Sequence, residues 1–314
     1  AGKGIRIERF SDNSPWSKSK KVIMPSEIDG HPVRRLAANS FSQNSYIEEV
    51  TIPDSVEVIG SQAFIMCKSL QRVHIGKNVR KIDNDAFYMC RKLEKISGGE
   101  SLKMLGLRTF QYCEKLRVLP FKERFYKLDF GDMLCGNTGI QNVSFDKNVV
   151  LANGLFRGCR RLKTANLSKI QNSECTDDLF RDCIALRQVK INKNWKYIEN
   201  RIFYNCRNLT SVNIPSKVRR VGAKAFGNCR SLKKIKMPKS VKKIEKDAFK
   251  ELAKEYPELY DYYIKYVENN PEQVSKLAHE ECTEELEKFY SNSKILIAKV
   301  IDEGYVIQED IEAR

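Results

Sequence analysis

The sequence predicts a solenoid of short parallel β-strands, mostly β with short turns or helices, followed by an α-helical C-terminal segment. About ten repeats of 23 residues build it. Three observations carry this expectation. A Phe-x-x-Cys-x-x-Leu pattern returns on one grid along most of the chain. Two short apolar tracts fit between successive phenylalanines. After residue 249, charge and periodicity both change. The length of 314 residues exceeds the usual ceiling for one globular core and suits an elongated array. With 41% apolar and 31% charged residues, collagen and outright disorder are excluded. No apolar run approaches the roughly 20 residues of a membrane helix.

Residues 1–22 are read as an N-terminal cap or first strand. Ala1-Gly2-Lys3-Gly4 lacks the apolar core of a secretory signal, so a removed signal, an absent one and a fragment all fit. The repeats are assigned to residues 23–249. The grid runs through Phe41, Phe64, Phe87, Phe110, Phe156, Phe180, Phe203, Phe226 and Phe249, with steps of 23 and one of 24 between grid places. Met133 stands at the remaining place, the fifth of ten, with Cys135 and Ile140 each displaced by one residue. Asn44 and Ile47 occupy the Cys and Leu places of the first repeat.

Within a repeat, Leu70, Val73 and Ile75 alternate with polar residues, as do Leu186, Val189, Ile191 and Leu209, Val212, Ile214. Such alternation suits a half-buried strand. A turn follows, with Pro53, Pro215 or Pro238, where proline ends the ladder without interrupting it. A second short tract comes next: Val56 to Ile59, Val79 to Ile82, Val218 to Val221, Val241 to Ile244. One repeat cannot bury its own apolar face, but stacked neighbours can. With strands about 4.8 Å apart, ten rungs span roughly 45 Å.

Val50-Thr51-Ile52-Pro53-Asp54-Ser55-Val56, followed by Ile59-Gly60, Ala63-Phe64, Cys67 and Leu70, resembles the BspA-type leucine-rich repeat. The stretch from Ile23 to Val33 is similar to that family's usual first repeat. The resemblance covers about residues 20–249. It implies a curved leucine-rich solenoid, a concave first-strand face and a recognition or adhesion role at a microbial surface. It brings no catalytic residues. Residues 98–156 depart from the pattern, losing the proline turns and the regular cysteine, so local distortion is expected there.

Of 10 cysteines, seven lie on the grid: Cys67, Cys90, Cys113, Cys159, Cys183, Cys206 and Cys229. No Cys-x-x-Cys or paired-His spacing supports a metal site. The seven are read as a buried structural ladder, each thiol a small hydrophobe bonded weakly to nearby backbone. Cys135, Cys175 and Cys282 are off the grid and receive no role.

The 56 Lys+Arg and 40 Asp+Glu are unevenly placed: residues 250–314 hold 8 and 16, leaving 48 and 24 in residues 1–249. Between the apolar residues of the first strand stand Arg72, Lys95, Arg117, Lys163, Arg187, Lys190, Lys233, Lys234 and Lys236. The second strand adds Arg219, Arg220, Lys242 and Lys243. These thirteen are the candidate partner-binding residues. Lysines also keep a repeat surface soluble and protect strand edges, which is the plainer account of them. A stripe of cations would suit an acidic protein face, a phosphate backbone or an acidic glycan. Trp195, Tyr197 and Tyr126 are the aromatics that could stack on bases, few for that purpose.

From residue 250 the acidic segment reads as helices, opened by Asn270-Pro271-Glu272 and Thr283-Glu284-Glu285. It is a cap over the open end of the array or the start of a longer helical region. His31, His74 and His279 lie far apart, and no phosphate loop, nucleophile elbow or His-Glu-x-x-His occurs, so the chain is read as no enzyme and no cofactor is expected. His74 is read as a surface histidine. The expected partner of this monomer is a protein, with a polyanion or a purely structural spacer role as alternatives. Unbridged thiols and the missing signal point to a cytoplasm, while the resemblance points to a cell surface.

Overall fold

Two backbone corners per turn place each phenylalanine. The computed structural model describes residues 5–7, 18–118, 129–130, 133–145, 151–171, 176–232, 235–245 and 247–249. The residues two before and two after each of Phe41, Phe64, Phe87, Phe110, Phe156, Phe180, Phe203 and Phe226 have positive φ. The angles are 58° at Gln62 and 57° at Met66 around Phe64, and 52° at Arg201 and 62° at Asn205 around Phe203. Left-handed backbone costs a non-glycine residue about 1 kcal/mol. Hydrogen bonds to the next turn offset that cost. The Gln62, Phe64 and Met66 amides donate to the Asn84, Ala86 and Tyr88 carbonyls at 2.9, 2.8 and 2.8 Å. A short helix was one expectation for these corners. They are turns instead, because alternate amides are spent on the neighbouring turn and those between them, Ala63, Ile65 and Cys67, close i→i−3 bonds at 3.2, 3.0 and 3.2 Å, so no i→i−4 ladder forms.

The strands in chain order are β1 (Ile5–Ile7), β2 (Lys21–Ile23), β3 (Glu27–Ile28), β4 (His31–Leu36), β5 (Glu49–Thr51) and β6 (Val58–Ile59). They continue with β7 (Arg72–Ile75), β8 (Lys81–Ile82), β9 (Lys95–Gly98), β10 (Met104–Leu105), β11 (Asp129–Phe130) and β12 (Asn142–Ser144). The last are β13 (Thr164–Leu167), β14 (Gln188–Ile191), β15 (Tyr197–Ile198), β16 (Ser211–Val212), β17 (Arg220–Val221) and β18 (Lys243–Ile244).

First strands pair in parallel as β2-β5-β7-β9 and β12-β13-β14-β16, and second strands as β1-β4-β6-β8-β10-β11 and β15-β17-β18. The exception is the antiparallel pair β3·β4. The result is a parallel β-solenoid of about eight turns, fewer than the ten expected from the phenylalanine grid. After Phe226 the first strand shrinks to the single bridge Asn213↔Lys236, and after Phe110 the chain enters 119–128, outside the described residues. Each second strand ends against the preceding turn so tightly that a Cβ on Gly60 would lie 2.6 Å from the Leu36 carbonyl oxygen.

The core is a column of rings. Phe41, Phe64, Phe87 and Phe110 stack with centroids 5.1, 5.2 and 5.8 Å apart. Phe156, Phe180, Phe203, Phe226 and Phe249 stack at 5.8, 5.9, 5.5 and 5.4 Å. The two stacks are separated by one turn, and there the sequence reading needs correction. Met133 does not take the phenylalanine place; it is the left-handed residue two before it, with φ 56°. Cys135 takes that place. Its amide donates to the Leu155 carbonyl at 3.1 Å, and the Leu134 carbonyl accepts from Phe110 at 2.9 Å, as an alanine carbonyl does elsewhere. Thr138 then stands where the cysteine should. Cys135 therefore has a structural role that its position off the grid concealed. The neighbouring Phe145 ring lies 6.4 Å from Phe156, tilted by 49°, and covers part of the gap.

By contact the chain divides into two units, Ala1–Glu251 and Leu252–Arg314. The expected acidic helices of residues 250–314 lie outside the described residues, as do Lys233, Lys234, Tyr126, Cys175, Cys282 and His279. No helix among the described residues is long and apolar enough to cross a membrane.

Candidate functional site

The outward rows of the first-strand sheet follow from its register. Lys21, Glu49, Arg72 and Lys95 are successive neighbours in one half. In the other, Asn142, Thr164, Gln188 and Ser211 are neighbours. The four residues of the second row are exposed and carry no charge. Two of them are linked, the Thr164 hydroxyl donating to Asn142 Oδ1 at 2.7 Å. A flanking row joins Ser144, Asn166 and Lys190 in register. His74 is exposed on the same sheet in the first half, its Nδ1 3.1 Å from Ser97 Oγ.

The eleven candidate residues that are described, all but Lys233 and Lys234, do not form one stripe. Arg72, Lys95, Lys190 and Lys236 lie on the first-strand side, with Arg117, Lys163 and Arg187 exposed just before it. Arg219, Arg220, Lys242 and Lys243 lie on the second-strand side. Several are also neutralised, on a neighbouring turn or within their own. The Arg72 guanidinium donates to Glu49, which holds the Glu49 carboxyl below its usual range. Arg220 pairs with Glu199 at 2.6 Å and lies over the Tyr197 ring at 5.6 Å, and Lys243 pairs with Glu245 at 2.8 Å. The same device recurs along the array: Arg34 with Glu57 at 3.1 Å, Lys77 with Asp54 at 3.0 Å, and bidentate Arg108–Asp85 and Arg201–Asp178. Burial by itself would raise the Asp178 carboxyl, but the hydrogen bonds and charges of Arg201 and Arg181 together outweigh it and the group sits below its usual range.

This pairing stops at the edge where the last turns pass from first to second strand. Residues 48–103 hold 9 Lys+Arg and 8 Asp+Glu, whereas residues 183–244 hold 17 Lys+Arg and a single acid, Glu199. Lys193, Lys217 and Lys239 project from successive turn tips, flanked by Lys190 and Lys236 on one side and by Lys196 and Arg219 on the other. All seven are exposed, and none makes an ion pair among the described residues. Lys217 Nζ donates to Asn194 Oδ1 one turn back at 3.0 Å, and the Arg219 amide donates to the Lys196 carbonyl at 2.7 Å. Like charges one rung apart, about 4.8 Å, repel by roughly 0.9 kcal/mol even in bulk water. The turn-tip lysines were hidden in the sequence because alternation marks the faces of strands and not the turns between them. Their recurrence at nearly the repeat period was the available signal.

Trp195 is removed from the stacking candidates. It is fully buried in the place other turns give to valine, and its Nε1–H donates to the Ile170 carbonyl at 2.7 Å. A ring too large to be exposed here fills the core and satisfies its polar edge on the turn before.

The thiols line the interior. Each donates to the carbonyl of the phenylalanine one turn back: Cys67 to Phe41 at 3.1 Å, Cys90 to Phe64 at 3.0 Å, Cys113 to Phe87 at 3.2 Å. Cys183, Cys206 and Cys229 repeat this on Phe156, Phe180 and Phe203 at 3.1, 3.1 and 3.0 Å, and Cys159 bonds the Cys135 carbonyl at 3.1 Å. Burial pushes up the thiols of Cys90, Cys113, Cys135, Cys159, Cys183, Cys206 and Cys229, to about 11 at Cys159 and well above the usual value at Cys90, Cys135, Cys183 and Cys206. A thiol so protonated is neither nucleophile nor metal ligand. Among the described residues no group of three His, Cys, Asp or Glu side chains could hold a metal ion.

The profile of the BspA type leucine rich repeat region matches in 6 copies, over residues 34–163 and 129–255. The chain belongs to the BspA-type leucine-rich repeat family. Among solved structures, this leucine-rich repeat chain is similar to the leucine-rich repeat protein of T. pallidum, at 26% identity and a TM-score of 0.44, covering 73% of this chain and 83% of that one. It is also similar to a leucine-rich repeat protein from Eubacterium ventriosum, at 21% identity and a TM-score of 0.46, over 80% and 88% of the two chains. A third is the pneumococcal vaccine antigen PcpA, at 16% identity and a TM-score of 0.47, over 78% and 80%. No curated protein matches the sequence.

Proposed function

We propose that this leucine-rich repeat chain is a non-catalytic protein-recognition module acting through the exposed first-strand face. One observation carries the reading. The row Asn142, Thr164, Gln188, Ser211 runs in register across four turns, exposed and uncharged, on a backbone fixed by parallel pairing. Amides and hydroxyls offer donors and acceptors without the desolvation cost of charge, and a rigid sheet loses little entropy when a partner docks. Many modest contacts summed along such a row give area and specificity. The membership of a repeat family suited to protein interaction supports the same reading.

The test is a proteome array probed with the full chain and with a Thr164→Arg/Gln188→Arg variant. Saturable binding to a protein is expected to persist from about 0.15 to about 0.5 M NaCl, because the row is uncharged. The variant is expected to weaken it by about tenfold or more, through two buried, unpaired charges. Binding indifferent to both arginines would move the surface elsewhere.

A further inference from the structure

We propose a second, separate binding site on this chain. It is the rim of turn tips carrying Lys193, Lys217 and Lys239, and it takes an acidic polysaccharide laid along the solenoid axis. The rim is set apart by what it lacks. Equivalent tips in the first half carry their own counter-charge, as Asp54 does for Lys77 at 3.0 Å. In residues 183–244 the one acid, Glu199, is already engaged by Arg220 on the second strand. Seven exposed cations therefore remain without a carboxylate among the described residues. Anions from outside would relieve the repulsion between them.

The geometry selects a linear polymer. The tip lysines recur once per rung, about 4.8 Å apart, in a row parallel to the axis, and beside them Lys190 and Lys236 stand two rungs apart across Asn213. The chemistry selects a glycan over a nucleic acid. Trp195 is buried and tied to Ile170, and Tyr197 is covered by the Arg220 guanidinium, so among the described residues this rim offers no open aromatic platform for a base. Beside the lysines stand Asn194, Asn213 and Ser216, neutral donors and acceptors suited to sugar hydroxyls. Lysine, a compact charge without the planar fork of arginine, makes up six of the seven cations, which favours dispersed sulfate and carboxylate groups over bidentate phosphate clamping.

The experiment titrates the full chain with a heparin oligosaccharide from about 50 to about 500 mM NaCl. Three proteins are compared: the natural chain, Lys193→Gln/Lys217→Gln/Lys239→Gln, and Lys68→Gln/Lys92→Gln/Lys115→Gln. The last removes the same charge from exposed positions beside the cysteine turns. Heparin is expected to bind with an affinity that falls as salt rises. The rim variant should bind about 10- to 100-fold more weakly, and the control within about threefold of the natural chain. Equal loss in both variants, or binding at low salt no better than to neutral dextran, would overturn the site. A DNA duplex of matched charge that binds as tightly through the same three lysines would overturn the glycan assignment. A charge-neutral first-strand variant, Thr164→Ala/Gln188→Ala, should weaken protein binding and leave heparin binding unchanged, so failure of this site and failure of the protein-recognition surface are read separately.

Discussion

Above about pH 9 the chain is expected to unfold over a narrow pH range, with thiolate absorbance appearing in the same step as the loss of β-structure. Burial raises the thiols of Cys90, Cys113, Cys135, Cys159, Cys183, Cys206 and Cys229 in the folded protein. The unfolded chain releases these protons near the ordinary cysteine value of about 8.5, while the folded chain keeps them. The unfolded state then binds fewer protons, so stability falls as pH rises. The contribution is complete below about pH 8.5 and is lost between there and the folded values, about 11 at Cys159. Each thiol contributes about 1.4 kcal/mol per pH unit in that window, and seven together about 10 kcal/mol per unit, comparable with the whole stability of a typical domain. A circular-dichroism titration read beside thiolate absorbance checks it. Thiolate that grows gradually near pH 8.5 while the fold persists would show that the thiols are open to water. Replacing Cys183 and Cys206 with alanine should flatten the transition by about two protons.

Phe203→Ala is expected to destabilise the C-terminal turns by about 3–5 kcal/mol, and Phe203→Leu by much less. The ring lies in the column between Phe180 at 5.9 Å and Phe226 at 5.5 Å, fully buried, so truncation opens a cavity and removes two ring contacts. The readout is built in. Trp195 is buried one turn-edge away, and with Trp16→Phe its fluorescence reports the C-terminal turns alone. A denaturant midpoint unchanged in Phe203→Ala would mean that the column is ornamental to stability. By contrast Cys135→Ala removes one sulfur from a place where the column is already interrupted, and its cost should be smaller.

The repeat, the ring column and the thiol ladder were legible in the sequence for one physical reason. The interior of a parallel coil presents the same small space every turn, so Phe, Cys and Leu must recur with the chain's own period. The irregular turn was hidden because its changes compensate. Residues 110 to 135 make a long step and 135 to 156 a short one, so the grid recovers its phase and points at Met133 when the place belongs to Cys135. Trp195 was misread because a tryptophan in a valine position can be recognised only when the cavity around it is seen. The surface was less legible. Alternation shows that Arg72 and Arg220 point outward, but not that Glu49 and Glu199 face them one turn away. Subtracting 23 from 72 finds Glu49; the spacing of Arg220 and Glu199 is 21, and only the fold reveals it. The rim of lysines needed the turn tips to be stacked before their common edge and missing acids could be seen.

Site-specific photo-crosslinking tests the central claim, that the first-strand face is the recognition surface, most directly. A benzoyl-phenylalanine placed at Gln188 is compared with one at Val58, which faces outward on the second-strand side in register with Arg35 and Lys81. The account predicts that protein bound at moderate salt crosslinks to position 188 and not to position 58. Crosslinks from position 58 alone would contradict it and transfer recognition to the opposite sheet.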